Sequence, residues 1–389
     1  MRYLFLFLFS SQIMFFGCSK DAPEDFGNAL VFTKSESPYL IDSTFEIEPG
    51  RLFRIEAGVE LIIDTGVFIN AFGPVEILGT IDEPVYLNSK IPGKGWRQFK
   101  VKPGAEYVTV ENTVFNDGTF TSSADKVYFN NVTFNNAQNL AWDGAMARFW
   151  NATEFLIENS TVNASNMGEG FLLHNVKNPV VRFCTFNKIP DGVEYIDAEN
   201  GRIHDCIFRD GNDDAIDLNH CSGTVIERNL IFNYKDCGME IGSENFGPST
   251  NIKVYKNIMV GCKKGLIIKE DSKARIENNT FFKNDIGAEF SALNSNGGSE
   301  GQILSCVFLE NTQAFKKDQA STIDVSYSLC PDEVLQGDQN LNSNPMLKNP
   351  EGEDFSPLNG SPCIDAGSPN SPVDSDGSRA DIGAVSFEK

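Results

Sequence analysis

The sequence predicts an all-β fold, a single-stranded parallel β-helix, from three observations. A six-residue pattern recurs eight times between Val110 and Phe308, with a looser ninth copy, at intervals of 19 to 28 residues. Its apolar positions are β-branched or aromatic, and Gly, Asn and Asp separate the copies, which favours strands. One position stacks the same small residue types in successive copies, namely Cys184, Cys206, Asn229, Asn257, Asn279 and Cys306. Repeats of this length indicate a solenoid whose rungs bury their faces against each other.

The main competing solenoid is the leucine-rich repeat. That fold needs a regular Leu-x-x-Leu-x-Leu frame and a helical half in each repeat, and neither is present. We therefore interpret the Cys and Asn column as an inward ladder of polar and small side chains with no catalytic role. The eight Cys residues after Cys18 are expected to act mostly as small buried hydrophobic groups.

The charge balance limits the partners of the protein. The 389 residues include 54 acidic and 32 basic ones, which gives a formal net charge of −22. Such a field repels nucleic acid and anionic membrane surfaces, so neither is an expected partner. It also repels a polyanionic substrate unless a cation intervenes. A long solenoid can form one unit, and we expect a monomer.

The N-terminal residues predict export. Arg2 precedes an apolar run over residues 3–16 that is too short to span a membrane. The run ends at Phe15-Phe16-Gly17-Cys18, which resembles a lipoprotein signal-peptidase box, and the acidic stretch after it resembles the tether of surface lipoproteins of Bacteroidota. The resemblance implies lipidation of Cys18, an outer-membrane or cell-surface location, and membrane contact through the lipid anchor alone. The alternative is an ordinary secretory peptide followed by a flexible linker.

Five segments follow from these patterns. They are a signal peptide (1–18), a flexible tether (19–28), an N-terminal cap with the first rungs (29–105), the parallel rungs (106–325) and a C-terminal capping segment (326–389). The stretches at 360–367 and 376–383 resemble the closing segment of many bacterial right-handed β-helix proteins. Caps at both ends would prevent end-to-end strand pairing.

A second strand follows each six-residue pattern, and its outward position carries acidic residues. When these strands are aligned on a small residue, the second and fourth positions are apolar and point inward, so the third points outward. The outward column is Leu172, Glu194, Asp217, Glu240, Ile267 and Glu289. Adjacent rungs lie about 4.8 Å apart, so Glu194, Asp217 and Glu240 should stack. Positions just before the small residue add Asp191, Asp213, Asp214 and Asp236.

Stacked carboxylates need charge compensation. Like charges at this spacing repel by about 1 kcal/mol per pair even in water, so a bound cation, raised pKa values or splayed side chains are required. Oxygen ligands on rigid strands suit Ca²⁺. Zinc is disfavoured because His and Cys do not cluster there. We predict a cation site formed by Asp191, Glu194, Asp213, Asp214 and Asp217; an ordinary acidic surface is the alternative.

The repeat resembles the right-handed parallel β-helix superfamily over about residues 106–325. The sequence Asp213-Asp214-Ala-Ile-Asp217 is similar to the calcium cluster of pectate lyases of polysaccharide lyase family nine. The resemblance implies that Asp191 or Glu194 completes the site. It also implies that Lys264, with a lowered pKa, is the base in a calcium-dependent β-elimination on an acidic polysaccharide.

Other interpretations stay open. Lys264 lies in a run with Lys263 and Lys269, so it could be a solvated turn lysine of a non-catalytic glycan-binding or structural surface β-helix. The histidine motifs of polygalacturonases and mannuronan epimerases are absent. Further candidate substrate contacts are Glu240, Lys269 and His174. The side chains of Trp142, Arg148 and Trp150 form either sugar subsites or packing contacts.

Overall fold

The computed structural model describes residues 29–137, 144–164, 168–293 and 297–388. The predicted signal peptide, tether and lipidation site at Cys18 therefore lie outside the described residues, as does Trp142. Within the described ranges, no helix is both long enough and apolar enough to cross a membrane.

The chain forms a right-handed parallel β-helix of about 12 turns with almost no helix, so the predicted fold class is confirmed. Each regular turn contributes two short strands to one sheet, the long sheet, and one strand to a second sheet, the site sheet. Rungs pair in parallel register throughout both sheets. The strands of the site sheet are Phe45–Ile47, Phe68–Ala71, Gln98–Val101, Thr119–Ser122, Ala145–Trp150, Glu169–His174, Asp191–Ile196, Ile216–Asn219, Cys237–Ile241, Lys264–Lys269, Ile286–Ser291 and Gln313–Lys317.

Among the described residues, the long sheet has 23 strands. They are Leu30–Phe32, Tyr39–Ile41, Phe53–Ile55, Glu60–Ile63, Val75–Leu78, Val85–Ser89, Tyr107–Asn116, Lys126–Asn135, Glu154–Glu158, Thr161–Asn163, Val180–Arg182, Thr185–Asn187, Arg202–His204, Ile207–Arg209, Val225–Glu227, Leu230–Phe232, Ile252–Tyr255, Ile258–Val260, Lys273–Glu277, Thr280–Phe282, Glu300–Leu304, Val307–Leu309 and Thr322–Ser326. Outside these sheets lie the antiparallel strands Leu347–Asn349 and Asp354–Pro357 and the 3₁₀ turns Lys34–Glu36 and Pro350–Gly352.

The six-residue pattern forms two short strands joined at a corner, rather than one strand. Its third residue adopts a left-handed conformation, with φ of 54° at Phe183, 52° at Arg228 and 53° at Lys256. In four other copies this position holds Asn112, Asn159, Asp205 and Asn278, and Asn and Asp are residue types that adopt the left-handed conformation readily. The corner turns the chain between two faces of the helix, so each rung has three faces.

The residue after each corner forms the predicted inward ladder. Asn229 is fully buried and its Nδ2 donates to Asn257 Oδ1 at 3.0 Å and to the Ile203 carbonyl oxygen at 2.9 Å. The backbone N–H of Cys206 donates to Asn229 Oδ1 at 3.0 Å. These contacts satisfy buried polar groups rung after rung. The prediction of small buried thiols is also confirmed, because eight cysteines are free and buried: Cys184, Cys206, Cys221, Cys237, Cys262, Cys306, Cys330 and Cys363.

Stacked aromatic rings and small residues fill the interior. The rings of Phe186 and Phe208 lie 4.7 Å apart with an interplanar angle of 4°. A Cβ at Gly192 would lie 2.5 Å from both the Ala215 carbonyl oxygen and the Phe208 ring. The small-residue position that aligned the second strands is therefore required by the close approach of the phenylalanine stack.

Both ends of the helix differ from the middle. Strands within 29–105 pair in parallel with later rungs, so the helix begins there. The chain beyond Ser326 returns along the outside of the long sheet: Asn278 Nδ2 donates to the Asp381 carbonyl oxygen at 2.6 Å, and the Gly383 N–H donates to the Ser305 carbonyl oxygen at 2.8 Å. The capping role of the ends and the exact segment limits stay predictions.

Candidate functional site

The acidic column of the site sheet has the predicted register. Glu194 lies directly opposite Asp217, and Asp217 directly opposite Glu240. The column continues beyond these carboxylates in both directions, through Leu172 to Arg148 on one side and through Ile267, Glu289 and Lys316 on the other. One outward column therefore places four carboxylates between Arg148 and Lys316.

These side chains point outward but are not fully solvated. Asp214 and Glu289 are each only 6% exposed, and Leu172 and Ile267 in the same column are buried. Asp191, Glu194 and Asp217 are half-buried. Neighbouring side chains on the site sheet shield the column, so its charges interact at a lower effective dielectric than charges in water.

Hydrogen bonds between rungs hold the turn carboxylates in place. Asp191 Oδ1 accepts from the backbone N–H of Asp214 at 2.8 Å, and Asp214 Oδ1 accepts from the backbone N–H of Cys237 at 2.8 Å. One oxygen of each of these carboxylates thus accepts a hydrogen bond from the backbone of the next rung. The other oxygen is left for the cluster.

Three overlapping groups bring ligand atoms within 4.8 Å of one another among the described residues. They are Asp191 with Asp213 and Asp214, Asp214 with Asp217 and Glu240, and Asp214 with Asp236 and Cys237. Asp214 is common to all three. We call Asp191, Asp213, Asp214, Asp217 and Glu240 the carboxylate cluster.

Glu194, predicted as a cation ligand, lies outside these groups. Asn219 Nδ2 donates to Glu194 Oε1 at 3.0 Å and to Asp217 Oδ2 at 2.7 Å. Asn219 therefore joins Glu194 to the edge of the carboxylate cluster. Glu240 lies within the carboxylate cluster, and its predicted contact with substrate stays a prediction. The predicted ligand set as a whole stays a prediction.

The pKa values show that the cluster is short of positive charge. Burial raises the pKa of Asp191 to about 7 with a contribution from Asp213, and burial raises that of Glu194 to about 7 with a contribution from Glu169. Burial and the charge of Glu240 raise the pKa of Asp214 to about 8. Burial, followed by Glu240 and Glu194, raises the pKa of Asp217 well above its ordinary value. Either protons or a cation must compensate these carboxylates near neutral pH.

The donor set fits a hard divalent cation. Asp217 Oδ1 is buried and accepts no hydrogen bond from the described residues. An unpartnered buried carboxylate oxygen is costly unless a ligand reaches it. The carboxylate cluster offers oxygen atoms alone, which are the ligands of Ca²⁺.

Comparison with known proteins supports the β-helix fold. Residues 96–257 match the family described as the right handed beta helix region. This match agrees with the right-handed parallel β-helix described above. A solved structure of pectate lyase Pel9A is similar, with a TM-score of 0.52 and 16% identity over 88% of this chain and 89% of that one.

Two further solved structures are similar at lower scores. The Dettilon tailspike protein has a TM-score of 0.46 and 13% identity, covering 75% of this chain and 63% of that one. The periplasmic alginate epimerase AlgG has a TM-score of 0.45 and 13% identity, covering 73% of this chain and 76% of that one. No curated protein matches the sequence.

Lys264 lies at its predicted position on the β-helix, but its pKa is not shifted in the predicted direction. It pairs with Cys237, in the turn column that also contains Asp191. Its Nζ lies 3.4 Å from Asp236 Oδ1. Burial lowers the pKa of Lys264, but Cys237 and Asp236 more than offset this, so the pKa is raised. The expected lowered pKa is therefore wrong, because the alignment did not show that Asp236 faces the ammonium group.

The remaining candidates have partners on the β-helix. Lys269 forms an ion pair with Glu240, and both side chains are mostly buried. Burial lowers the pKa of Lys269, and Glu240 outweighs that effect, so the pKa is raised. His174 Nε2 lies 3.1 Å from Asp197 Oδ2, and His220 Nδ1 lies 2.7 Å from Asp197 Oδ1. His174 thus belongs to a His–Asp–His group that the sequence did not indicate.

Glu169 is a member of the site that sequence reasoning missed. It pairs with Asp191 in the turn column, and its Oε2 is buried and accepts no hydrogen bond among the described residues. Burial raises its pKa, while the charge of Arg148 opposes this rise. The signal was present, because Glu169 precedes Gly170 just as Asp191 precedes Gly192.

Proposed function

We propose that this β-helix is a carbohydrate-active protein, a calcium-dependent lyase that cleaves an acidic polysaccharide by β-elimination. The observation that carries the proposal is the partly buried carboxylate cluster with an unpartnered oxygen at Asp217, two rungs from Lys264 on the same sheet. The shared fold with pectate lyase Pel9A supports the choice of substrate class.

The reaction needs a base and charge neutralisation. The base takes the proton on the carbon that bears the sugar carboxylate, the electron pair forms a carbon–carbon double bond, and the glycosidic carbon–oxygen bond breaks. The departing oxygen takes up a proton and becomes a new chain end. Ca²⁺ held by the carboxylate cluster would neutralise the sugar carboxylate and acidify the proton beside it.

Lys264 is the proposed base because its Nζ stands at the turn edge of the cluster. It accepts a proton only in the neutral form, and its pKa is raised by Cys237 and Asp236. Lyase activity should therefore increase as the pH rises through the alkaline range. Lys269 neutralises Glu240 and is placed to contact a substrate anion at the far side of the cluster.

The decisive experiment measures product formation. The purified protein is incubated with pectate and with alginate, with Ca²⁺ or with EDTA, and the ultraviolet absorbance of the unsaturated product is followed. Asp217→Asn and Lys264→Ala should each lower the rate by about 100-fold or more. Lys263→Ala is the matched control, since Lys263 is more exposed and also pairs with Asp236. Absence of product on both polymers, with no Ca²⁺-dependent change in thermal unfolding, would refute the proposal.

A non-catalytic glycan-binding protein is the second candidate, and the raised pKa of Lys264 favours it. In that case Ca²⁺ would strengthen binding of the polymer without any unsaturated product. Asp217→Asn would weaken that binding, while Lys264→Ala would leave it within about twofold.

We also propose that the protein acts as a monomer at the cell surface, anchored through a lipid on Cys18. Replacement of Cys18 by Ala should move the protein from the membrane fraction to the soluble fraction. Retention of the variant in the membrane fraction would refute the anchor, and gel filtration tests the monomer.

A further inference from the structure

Four basic side chains lie over aromatic rings on the outer face of the site sheet, on the N-terminal side of the carboxylate cluster. The side-chain charges of Arg97 and Lys100 each lie 5.6 Å from the centroid of the same ring, Phe68. Lys102 lies 5.8 Å from the centroid of Phe72, and Arg148 lies 4.9 Å from that of Trp150. We call these seven residues the basic-aromatic patch: Phe68, Phe72, Arg97, Lys100, Lys102, Arg148 and Trp150.

The three rings are half-buried and do not belong to the interior. Ile69 and Ala71, which alternate with Phe68 along the chain, are fully buried and point inward. Phe68, Phe72 and Trp150 keep part of their surface open to solvent. Their positive neighbours are within about 6 Å, the range of a cation–aromatic attraction. The rings therefore hold the basic groups in place on the surface.

A cavity of about 370 Å³ opens beside the patch. Its lining includes Lys100, Lys102, Thr121, Ser123 and Trp150, and no described lining residue is acidic. Two ammonium groups, hydroxyl groups and an indole ring thus share one concave surface. In a chain with a net charge of −22, this surface has the opposite character to the carboxylate cluster.

The patch and the cluster share one outward column. Lys100 pairs with Thr121, and Thr121 pairs with Arg148. Arg148 pairs with Leu172, which belongs to the column that contains Asp217. Five rungs separate Lys100 from Asp217, which corresponds to about 24 Å along the helix axis. One extended polymer lying parallel to the axis can therefore contact both surfaces.

We propose that the basic-aromatic patch is a second subsite, which binds acidic sugar residues of the polymer directly, without a cation. The proposal rests on the proposed function for its substrate class and adds a binding position that the carboxylate cluster does not supply. Lys100 and Lys102 pair with sugar carboxylates, and the Trp150 ring packs on the apolar face of a pyranose.

The subsite has a consequence for substrate length. A short oligosaccharide that fills the carboxylate cluster cannot also reach Lys100, whereas a longer chain gains the second set of contacts. Binding therefore strengthens with chain length, and the enzyme prefers internal positions of a long polymer. The direct contacts also persist when Ca²⁺ is removed, but they weaken with salt.

The test measures binding without Ca²⁺. Affinities of polygalacturonate, of alginate and of oligogalacturonates of graded length are measured in EDTA by calorimetry. The wild-type protein should bind at least one polymer, and Lys100→Ala and Trp150→Ala should each weaken that binding about tenfold. Both should also remove the dependence on oligosaccharide length. Trp150→Phe should retain most of the affinity.

Lys253→Ala is the matched control. Lys253 also lies over an aromatic ring, 4.5 Å from the centroid of Tyr255, but on the long sheet. This variant should bind as the wild-type protein does, and all variants should show unchanged thermal unfolding. The proposal is overturned if the wild-type protein binds neither polymer in EDTA, or if Lys100→Ala and Trp150→Ala bind as tightly as Lys253→Ala.

The outcome is separable from that of the proposed function. If no polymer is cleaved but the patch variants lose binding in EDTA, the subsite stands and the lyase activity is refuted. If Asp217→Asn abolishes cleavage while the patch variants keep both EDTA binding and chain-length dependence, the lyase stands and the subsite is refuted.

Discussion

Replacement of Asp214 by Asn should stabilise the cation-free protein at neutral pH. Folding raises the pKa of the Asp214 carboxyl from 3.8 to about 8, because burial and Glu240 disfavour its charged form. The folded chain then binds a proton that the unfolded chain releases. The stability that the protonated Asp214 carboxyl contributes is therefore complete below about pH 4. It decreases as the pH rises and is fully lost above about pH 8. An amide at this position has no charge to compensate.

The size of the effect follows from the interval between the two pKa values. At pH 7 the unfolded carboxyl is about three pKa units above its midpoint, at about 1.4 kcal/mol each. The wild-type protein therefore loses up to about 4 kcal/mol at pH 7 relative to acid pH through this group. Asp214 is only 6% exposed, so solvent screens little of this effect. Asn retains Oδ1 as the acceptor for the Cys237 N–H, so the rung contact survives.

Thermal unfolding in EDTA from pH 5 to pH 9 provides the measurement. The melting temperature of the wild-type protein should decrease over this range. The melting temperature of Asp214→Asn should decrease less and should be several degrees higher than that of the wild-type protein at pH 8. Ca²⁺ should restore the wild-type protein but not the variant. Asp324→Asn is the control, because Asp324 is an exposed carboxylate on the long sheet. Equal pH slopes for all three proteins, with no effect of Ca²⁺, would refute the reasoning.

Three further changes test the surrounding structure. Lys269→Met leaves Glu240 without its ion pair, so it should cost about 1 to 3 kcal/mol in EDTA and less with Ca²⁺; an equal loss in both buffers would contradict compensation by a cation. Asn257→Ala breaks the buried ladder beside Asn229 and should cost about 2 to 4 kcal/mol in urea unfolding; a loss below 1 kcal/mol would show that the ladder is replaceable. Gly192→Ala should cost about 1 to 3 kcal/mol, because its Cβ would meet the Phe208 ring, and unchanged stability would contradict that packing.

The repeat was predictable because its cause is local. Alternation with a period of two assigns each strand residue to the inside or the outside, and small residues such as Gly192 mark the position where the backbone meets the Phe208 ring. These features align successive rungs, so the stack of Glu194, Asp217 and Glu240 follows without a structure. The corners were not predicted, although Asn or Asp occupies the left-handed position in four copies of the pattern; Phe183 and Arg228 at the same position carry no such local signal.

The membership of the site was less predictable than its register. The sequence predicts Glu194 as a ligand of the cation site, which stays a prediction, and it did not indicate that the amide of Asn219 joins Glu194 to Asp217. It placed Lys264 correctly but with the wrong pKa direction, because Asp236 turns toward it from the preceding rung. Contacts of this kind depend on side-chain rotamers at the turns, where chain length varies from rung to rung.

The sequence by itself therefore determined the fold class, the order of the rungs and the column of carboxylates on one face. These depend on strand periodicity and on the close packing of repeated small and aromatic residues. The tertiary structure alone decided how deeply the carboxylates are buried, which of them meet at Asp214, and that a basic-aromatic patch shares their column. Burial and charge depend on residues from different rungs and loops coming together, and such distances are set only when the whole helix has folded.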